Sequence, residues 1–404
     1  MEDFELRNQK AWLFGFLQLA HDIVYNFIRK PMFRGISYAF LEGLKMVKEQ
    51  GKVVLPRGSK SKEVLSRVFE IAFPKERCLV IPGRNNNVFA TIAETIWVIA
   101  GRNDMEYLSN YLPRAMEFSD DKKVWRGAYG PRLRDWNGID QLRKIIEVLH
   151  QKDSKRAVIS IFDPDRDFVE SKDIPCNNWL QFVLREGKLN LNVVVRANDL
   201  FWGFSGINFF EWSTLLEMMA FWTGSEVGSI TWFAGSLHFY ERHFDKVSPI
   251  IEQFPHKTLY ELDIGTFKFS TEFHELDAVL SKCFGIEKEM KTKGLGTLKD
   301  IENIQDDFLK NSLKMILVYN IFKYQGSVED IYTAIDAIPE SDFRIAAIEF
   351  FYRKLWDVRS LLTQKEKKFF DIYNLGRKKF LITTCHHVID NKQDEFCTKA
   401  LENQ

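Results

Sequence analysis

The chain has 404 residues, with 56 Lys+Arg against 56 Asp+Glu and 45% hydrophobic residues that include 35 Phe. Balanced charge gives no global basic field for a nucleic-acid backbone, and the apolar content suffices for one large core plus an appended domain. Five scattered cysteines (Cys78, Cys176, Cys283, Cys385, Cys397) argue for a reducing compartment and against a disulfide framework.

In chain order, residues 1–50 read as a helical extension, with Phe14, Phe16, Leu17, Ala20, Ile23 and Val24 forming an apolar stripe. The apolar run 11–27 is broken by Gln18, His21 and Asp22 and follows acidic Glu2 and Asp3. It therefore reads as an amphipathic helix, neither secretion signal nor membrane span, and a cytoplasmic protein is expected. Residues 51–285 mix helices at 88–101, 139–151 and 212–223 with β-branched strands at 157–161 and 191–195. The lack of a strict βαβ rhythm predicts an α+β domain. The charged stretch 287–296 reads as a linker, and 298–324, 328–338 and 341–355 as helices of a separate all-helical module spanning 286–404.

Cys176 lies in Ile174-Pro175-Cys176-Asn177-Asn178-Trp179, and Arg196-Ala197-Asn198-Asp199 follows twenty residues later. A thiol is nucleophilic as thiolate, and an arginine beside it lowers its pKa. The same arginine could hold a phosphate by a bidentate contact. A lone cysteine is more often a small buried hydrophobe, so its companions matter. They are Gln181-Phe182, Gly187-Lys188-Leu189, Asn208 ahead of a long apolar helix, and His238-Phe239-Tyr240. Upstream stand Leu55-Pro56-Arg57-Gly58, Glu94-Thr95-Ile96-Trp97, Gly127-Ala128-Tyr129-Gly130 and Ser154-Lys155-Arg156.

The order and spacing of these segments, over roughly residues 50–265, resemble the thymidylate synthase family. The resemblance implies that family's mixed sheet with packed helices, and a homodimer with shared active sites. It further implies 5,10-methylenetetrahydrofolate as cofactor and dUMP or a related pyrimidine nucleotide as substrate; no membrane or nucleic-acid partner is expected. By resemblance Cys176 adds to C6 of uracil, with Arg196 keeping it ionised. Asn208 donates to O4 and accepts from N3–H, a pattern that cytosine reverses. The family's cytosine-specific branch carries aspartate there. A helix cap is the plain alternative for Asn208. Arg57, Arg196, Lys155 and Arg156 would bind phosphate, the last two from a second subunit, and His238 and Tyr240 the sugar 3′-hydroxyl. Glu94, inside an apolar helix, suits proton transfer because burial raises its pKa. Tyr129 would help remove the C5 proton, and Asp199 would bind the pterin ring.

The pattern also departs from the family. Lys155 and Ala197 stand where it has arginine and serine, and Asn177 where it has histidine. The tryptophan that stacks on the activated methylene would fall near Ala115 and is not there. One extra residue separates Asp199 from Asn208, read as a loop insertion near Ser205-Gly206. The core runs on into a polar helical module instead of ending in an apolar closing tail. Losing stacking and closure should admit water to the exocyclic methylene on C5, so 5-hydroxymethyl-dUMP is the expected product. The alternatives are reductive methylation to dTMP and a degenerate nucleotide-binding dimerisation protein. Three further signals are weak. Cys385-His386-His387 has metal-friendly residue types, but adjacent residues cannot all face one ion. Gly58-Ser59-Lys60-Ser61 lacks a phosphate-loop frame. The runs 365–368 and 377–379 read as solvated helix faces.

Overall fold

The computed structural model describes residues 32–151, 153–324, 326–354 and 356–373. The stripe from Phe14 to Val24, the Cys385-His386-His387 cluster and the run 377–379 lie outside the described residues.

Seven strands form one mixed sheet: β1 (Met32–Phe33), β2 (Lys52–Val54), β3 (Ser61–Ile71), β4 (Val158–Ser160), β5 (Asn177–Arg185), β6 (Lys188–Asp199) and β7 (Glu226–Tyr240). Their order is β1-β3-β7-β6-β5-β4, with β2 also paired to β3. β6 runs parallel to β7, whereas β3–β7, β5–β6 and β4–β5 are antiparallel. The expected α+β class is what the chain adopts.

The register explains the two faces of the sheet. Ile159, Leu180, Val193, Trp232 and Phe69 form one cross-strand row, and Phe182, Leu191, Ile230 and Ile71 another; all are fully buried. The alternating residues point the other way. There Trp179, Val194, Phe233 and Val68 form a row that this chain leaves partly open, Trp179 being 36% exposed.

Helices Val88–Ile99 and Ile207–Trp222 contact each other, and the second also packs on β6 and β7. Ile207–Trp222 is buried on almost every side up to Ala220, as befits a helix in the middle of a core. Between β6 and this helix the chain makes a wide turn, Leu200–Phe204, in which Ser205 N–H reaches back five residues to Leu200 O at 3.3 Å. The Asp199 carboxylate caps that turn at Phe201 N–H, at 2.9 Å. This π-type turn immediately precedes Ser205-Gly206, where the sequence reading expects a one-residue insertion, and such turns accommodate an added residue and cluster at functional sites.

Most of the stretch read as a linker is helical instead: Leu276–Lys293 covers it up to Lys293, and a short 3-10 turn, Gly294–Thr297, follows. Its charges misled the reading because they occupy the solvent side, where Lys293 pairs with Glu289, while Met290 and Glu287 turn inward. Glu287 accepts a hydrogen bond from the Tyr111 hydroxyl. The expected helix 298–324 is broken into Leu298–Glu302 and Asp307–Lys323, the second capped by Asp306. The C-terminal helices share one buried cluster with the sheet domain. Phe89 meets Phe350 at 5.0 Å and Tyr319 at 5.6 Å, and Phe210 meets Phe343 at 6.1 Å.

Candidate active site

Cys176 stands immediately before β5, and Arg196 N–H on β6 donates to its carbonyl at 2.9 Å. The Arg196 side chain turns back over this step. Its Nε donates to Pro175 O at 2.9 Å and its Nη2 to Ile174 O at 2.8 Å, leaving Nη2 4.0 Å from Cys176 Sγ. Two carbonyls thus fix the guanidinium beside the sulfur. Burial pushes the Cys176 thiol up, while Arg196 and then Arg57 pull it down. Burial prevails, so desolvation opposes the ionisation that the sequence assigns to Arg196. Arg57 sits exposed in the Pro56–Gly58 turn ahead of β3, with φ 50°, followed by Gly58 at φ 78°. Successive left-handed residues turn the chain sharply there.

Tyr129 opens the helix Tyr129–Arg134 and lies 5.3 Å, ring to ring, from Trp212. Burial, then the charges of Cys176 and Glu211, hold its phenol well above the usual range. Asn177 is fully buried, and its Oδ1 accepts from Trp212 Nε1 at 2.9 Å. It thereby joins the strand carrying the cysteine to the 207–222 helix.

Glu94 and Glu211 face each other's field across the two core helices. Glu94 is 8% exposed and burial pushes its pKa up to about 8. Glu211 is 2% exposed and is raised well above the carboxylate range by burial and then by Glu94. Glu94 Oε2 and Glu211 Oε1 are buried without a hydrogen-bond partner. Asn208 Nδ2 donates to Glu211 Oε2 at 3.1 Å. Gly206 precedes the helix and carries no side-chain cap, so Asn208 lies inside the first turn and caps nothing.

Asp199 and His238 are register partners on β6 and β7. His238 is buried, stands 5.2 Å from Tyr240 at right angles, and its Nδ1 lies 3.4 Å from Ser236 Oγ. Burial, then the Asp199 charge, raises the Tyr240 phenol, and Cys176 and Arg57 also act on it. Asp199 Oδ2 faces Arg242 Nη2 at 3.4 Å. Cys176, Arg196, Arg57, Tyr129, Glu94, Asn208, Asp199, His238 and Tyr240 therefore belong to one neighbourhood.

Lys155 and Arg156 do not. Both are exposed, and Lys155 O accepts from Gln181 Nε2 at 3.0 Å, well along β5 from Cys176. Five strand residues are roughly 17 Å. Ala115 is fully buried in the turn Pro113–Glu117, and Phe118 beside it meets Trp202 edge-on at 5.6 Å.

Sequence reasoning missed two carboxylates. Glu211, a lone acid in the apolar run Phe209-Phe210-Glu211-Trp212, was visible as such but went unremarked. Asp173, three residues before Cys176, accepts from Gly127 N–H at 2.9 Å, and burial pushes its pKa up to about 6. Its signal is positional only.

Comparison with known proteins bears on the family. The family model for thymidylate synthase matches residues 38–283. The chain is 32% identical over 354 residues to a deoxyuridylate hydroxymethyltransferase of Bacillus phage SP01, covering 78% of this chain and 91% of that protein. It is 30% identical over 326 residues to a deoxyuridylate hydroxymethyltransferase of Delftia phage PhiW-14, covering 74% and 89%. A putative thymidylate synthase of Methanosarcina barkeri is 30% identical over 221 residues, 54% of this chain and 92% of that protein. On the family match and the breadth of these alignments, the chain belongs to the thymidylate synthase family and is an enzyme of that family.

Proposed function

We propose that the protein transfers a one-carbon unit from 5,10-methylenetetrahydrofolate to C5 of dUMP through a covalent adduct on Cys176, and releases 5-hydroxymethyl-dUMP. The observation that carries this reading is the guanidinium of Arg196, pinned by the carbonyls of Ile174 and Pro175 at 4.0 Å from Cys176 Sγ. With Arg57 it supplies cations for the nucleotide phosphate, and a bound phosphate would be shared with the region that holds the thiol.

Cys176, as thiolate, gives its electron pair to C6, and the charge moves through C5 to O4. Asn208 donates an N–H to O4 and accepts from N3–H, so the enolate meets a preorganised donor. Tyr129, in the field of Cys176, would help to remove the proton from C5. Glu94, neutral at pH 7 with a pKa of about 8, can hold or return a proton near O4. When the C5=C6 bond reforms, the Cys176 sulfur leaves with its electron pair.

The residues present fit a reduced folate. Asp199 keeps acceptor capacity beyond Phe201 N–H and Arg242, suited to pterin N–H groups. Burial, then Arg242, Lys246, Arg84 and Arg114, presses the His243 pKa down to about 3, and of these cations Arg242, Lys246 and Arg114 suit the carboxylates of a folate tail, Arg84 being buried on Ser205 and Phe201 O. When bound, the folate supplies the one-carbon unit. Whether water or hydride completes the exocyclic methylene on C5 depends on closure. The buried Ala115 in place of a stacking tryptophan favours water. So does the kinship with the two phage proteins aligned over most of this chain, each a deoxyuridylate hydroxymethyltransferase.

The open row Trp179, Val194, Phe233 and Val68 supports a homodimer formed sheet to sheet, which would bring Lys155 and Arg156 to the partner's site. On this reading the enzyme works in the cytoplasm, in keeping with the free thiols of Cys78, Cys176 and Cys283. Among the described residues no helix is long and apolar enough to cross a membrane.

Mass spectrometry of the product from dUMP and methylenetetrahydrofolate tests the proposal. A gain of one hydroxymethyl group with release of tetrahydrofolate is expected. A methyl group with dihydrofolate would make the protein a reductive methylase, and no modified nucleotide would remove the enzymatic reading.

A further inference from the structure

Asn177 has no part in the chemistry above, yet β5 breaks its alternation to bury it. Strict alternation would set Asn177 on the face of Trp179, which is 36% exposed. Instead the register slips between the two, and Asn177 is fully buried. The residue taken up by the slip is Asn178, whose carbonyl accepts from Ile161 N–H at 2.9 Å and from Phe162 N–H at 3.0 Å. Bulges of this kind re-aim a side chain and are over-represented beside active sites.

The amide turned inward has a fixed direction. Its Oδ1 accepts from Trp212 Nε1 at 2.9 Å. An indole nitrogen can only donate, so the carbonyl end must face Trp212 and the NH₂ must lie on the other side. That NH₂ is buried and makes no close hydrogen bond, a costly arrangement for an amide with a structural role alone. Trp212 packs on Tyr129 at 5.3 Å between rings. Asn177 in turn acts on the Tyr129 phenol in the sense of a donor, favouring the ionised form against burial. Catalytic hydrogen bonds are often long before substrate binds and tighten in the complex.

We propose that Asn177, its amide held by Trp212, is a positioning residue that donates to the Tyr129 phenolate and so speeds removal of the C5 proton. This rests on the dUMP reading above. In that step the C5–H bond breaks and its proton passes to the phenolate oxygen. The electron pair becomes the second bond from C5 to the exocyclic carbon, and the bond from that carbon to the folate amine breaks with its pair on nitrogen. Burial opposes the ionised phenol that this step needs, and a preorganised N–H at its oxygen offsets part of the cost. Asn177 acts through Tyr129 and not on the base.

The test is Asn177→Leu, similar in volume but without donor or acceptor, assayed with methylenetetrahydrofolate and labelled nucleotides. 5-Fluoro-dUMP carries fluorine where the proton would leave, so the Cys176 adduct forms and stops there. Tritium at C5 of dUMP reports proton removal directly, and deuterium at C5 shows whether that removal limits turnover. The variant is expected to form the covalent 5-fluoro-dUMP complex in wild-type yield by mass spectrometry. Its tritium release should fall roughly tenfold or more, the size of a lost hydrogen bond to a charged group. Its turnover should carry a primary isotope effect with deuterated dUMP, which structural damage does not produce. If it fails to fold by thermal melt, Asn177→Leu combined with Trp212→Phe removes both partners, leaves no buried N–H unpaired and carries the same expectation. Tritium release within about twofold of the wild type, slowed turnover without an isotope effect, or loss of the covalent complex overturns the role of Asn177 and leaves the dUMP reading intact. A wild-type protein that forms no covalent complex, or releases no tritium from dUMP, overturns that reading and this proposal with it.

Discussion

At the scale of single residues, the environment of Glu94 makes the clearest demand. Its pKa moves from an ordinary 4.5 up to about 8, caused by burial. The unfolded chain releases this proton near 4.5, whereas the folded chain holds it until about 8. Between those values the native state binds more protons, so stability falls as pH rises through that window and levels off above it. We expect Glu94→Gln to flatten this part of the stability curve in thermal melts taken from pH 5 to 9. The variant should also lower kcat by about 10²-fold or more, because a group holding a mobile proton is lost. A curve with the wild-type slope, or undiminished turnover, would contradict the assignment.

Among elements, Ile207–Trp222 does most to build the site, since it presents Asn208, Glu211 and Trp212 and is anchored by its other end. Glu217 pairs with Arg77 at 2.6 Å in full burial, and Arg77 lies between the rings of Phe210 and Phe308 at 5.4 and 5.2 Å. Breaking one partner of a buried pair leaves an uncompensated charge, whereas replacing both need not. Arg77→Met alone should therefore cost about 3–5 kcal/mol. The double substitution Arg77→Met with Glu217→Met should recover most of it, as read by denaturant unfolding. A double variant no more stable than the single one would remove the argument.

This helix also shows what could be read from the sequence and what could not. The β-branched run at 191–195 makes the middle of β6 legible, because Val193, Val194 and Val195 suit a pleated strand whichever face is buried. The 207–222 helix buries nearly its whole circumference, so periodicity marks no face, and the start expected at 212 lies five residues inside the helix. The site residues announced themselves by motif order. Glu211 could not, because its meaning depends on Glu94, more than a hundred residues away, and on the amide one turn before it. The break at Asp306 and the helix Leu276–Lys293 are hidden by the same limit: local charge does not say which side faces a neighbour.

For the whole molecule, the separation of Lys155 and Arg156 from Cys176 matters most. On one chain these cations stand near the far end of β5, beside an open apolar sheet row that suits a second copy. A dimer with shared sites makes a specific prediction. Cys176→Ala protomers and Lys155→Ala/Arg156→Ala protomers, each inactive or nearly so alone, should regain activity when unfolded and refolded together. Hybrid dimers then hold one site with both the thiol and the cations, and about a quarter of wild-type activity is the order expected from random pairing. Mixtures that stay inactive would mean that each chain completes its own site.

The wide turn at Leu200–Phe204 bears on how such a site can change. One residue added ahead of a helix rotates everything after it by about 100°, enough to swing a side chain from the ligand to the back of the helix. A residue added in this turn, before Gly206, would leave the azimuth of Asn208 and Glu211 unchanged. The turn works as an expansion joint between strand and helix. Length can vary there without re-aiming the edge that meets the base, and the bases such a scaffold recognises can be altered on the helix alone.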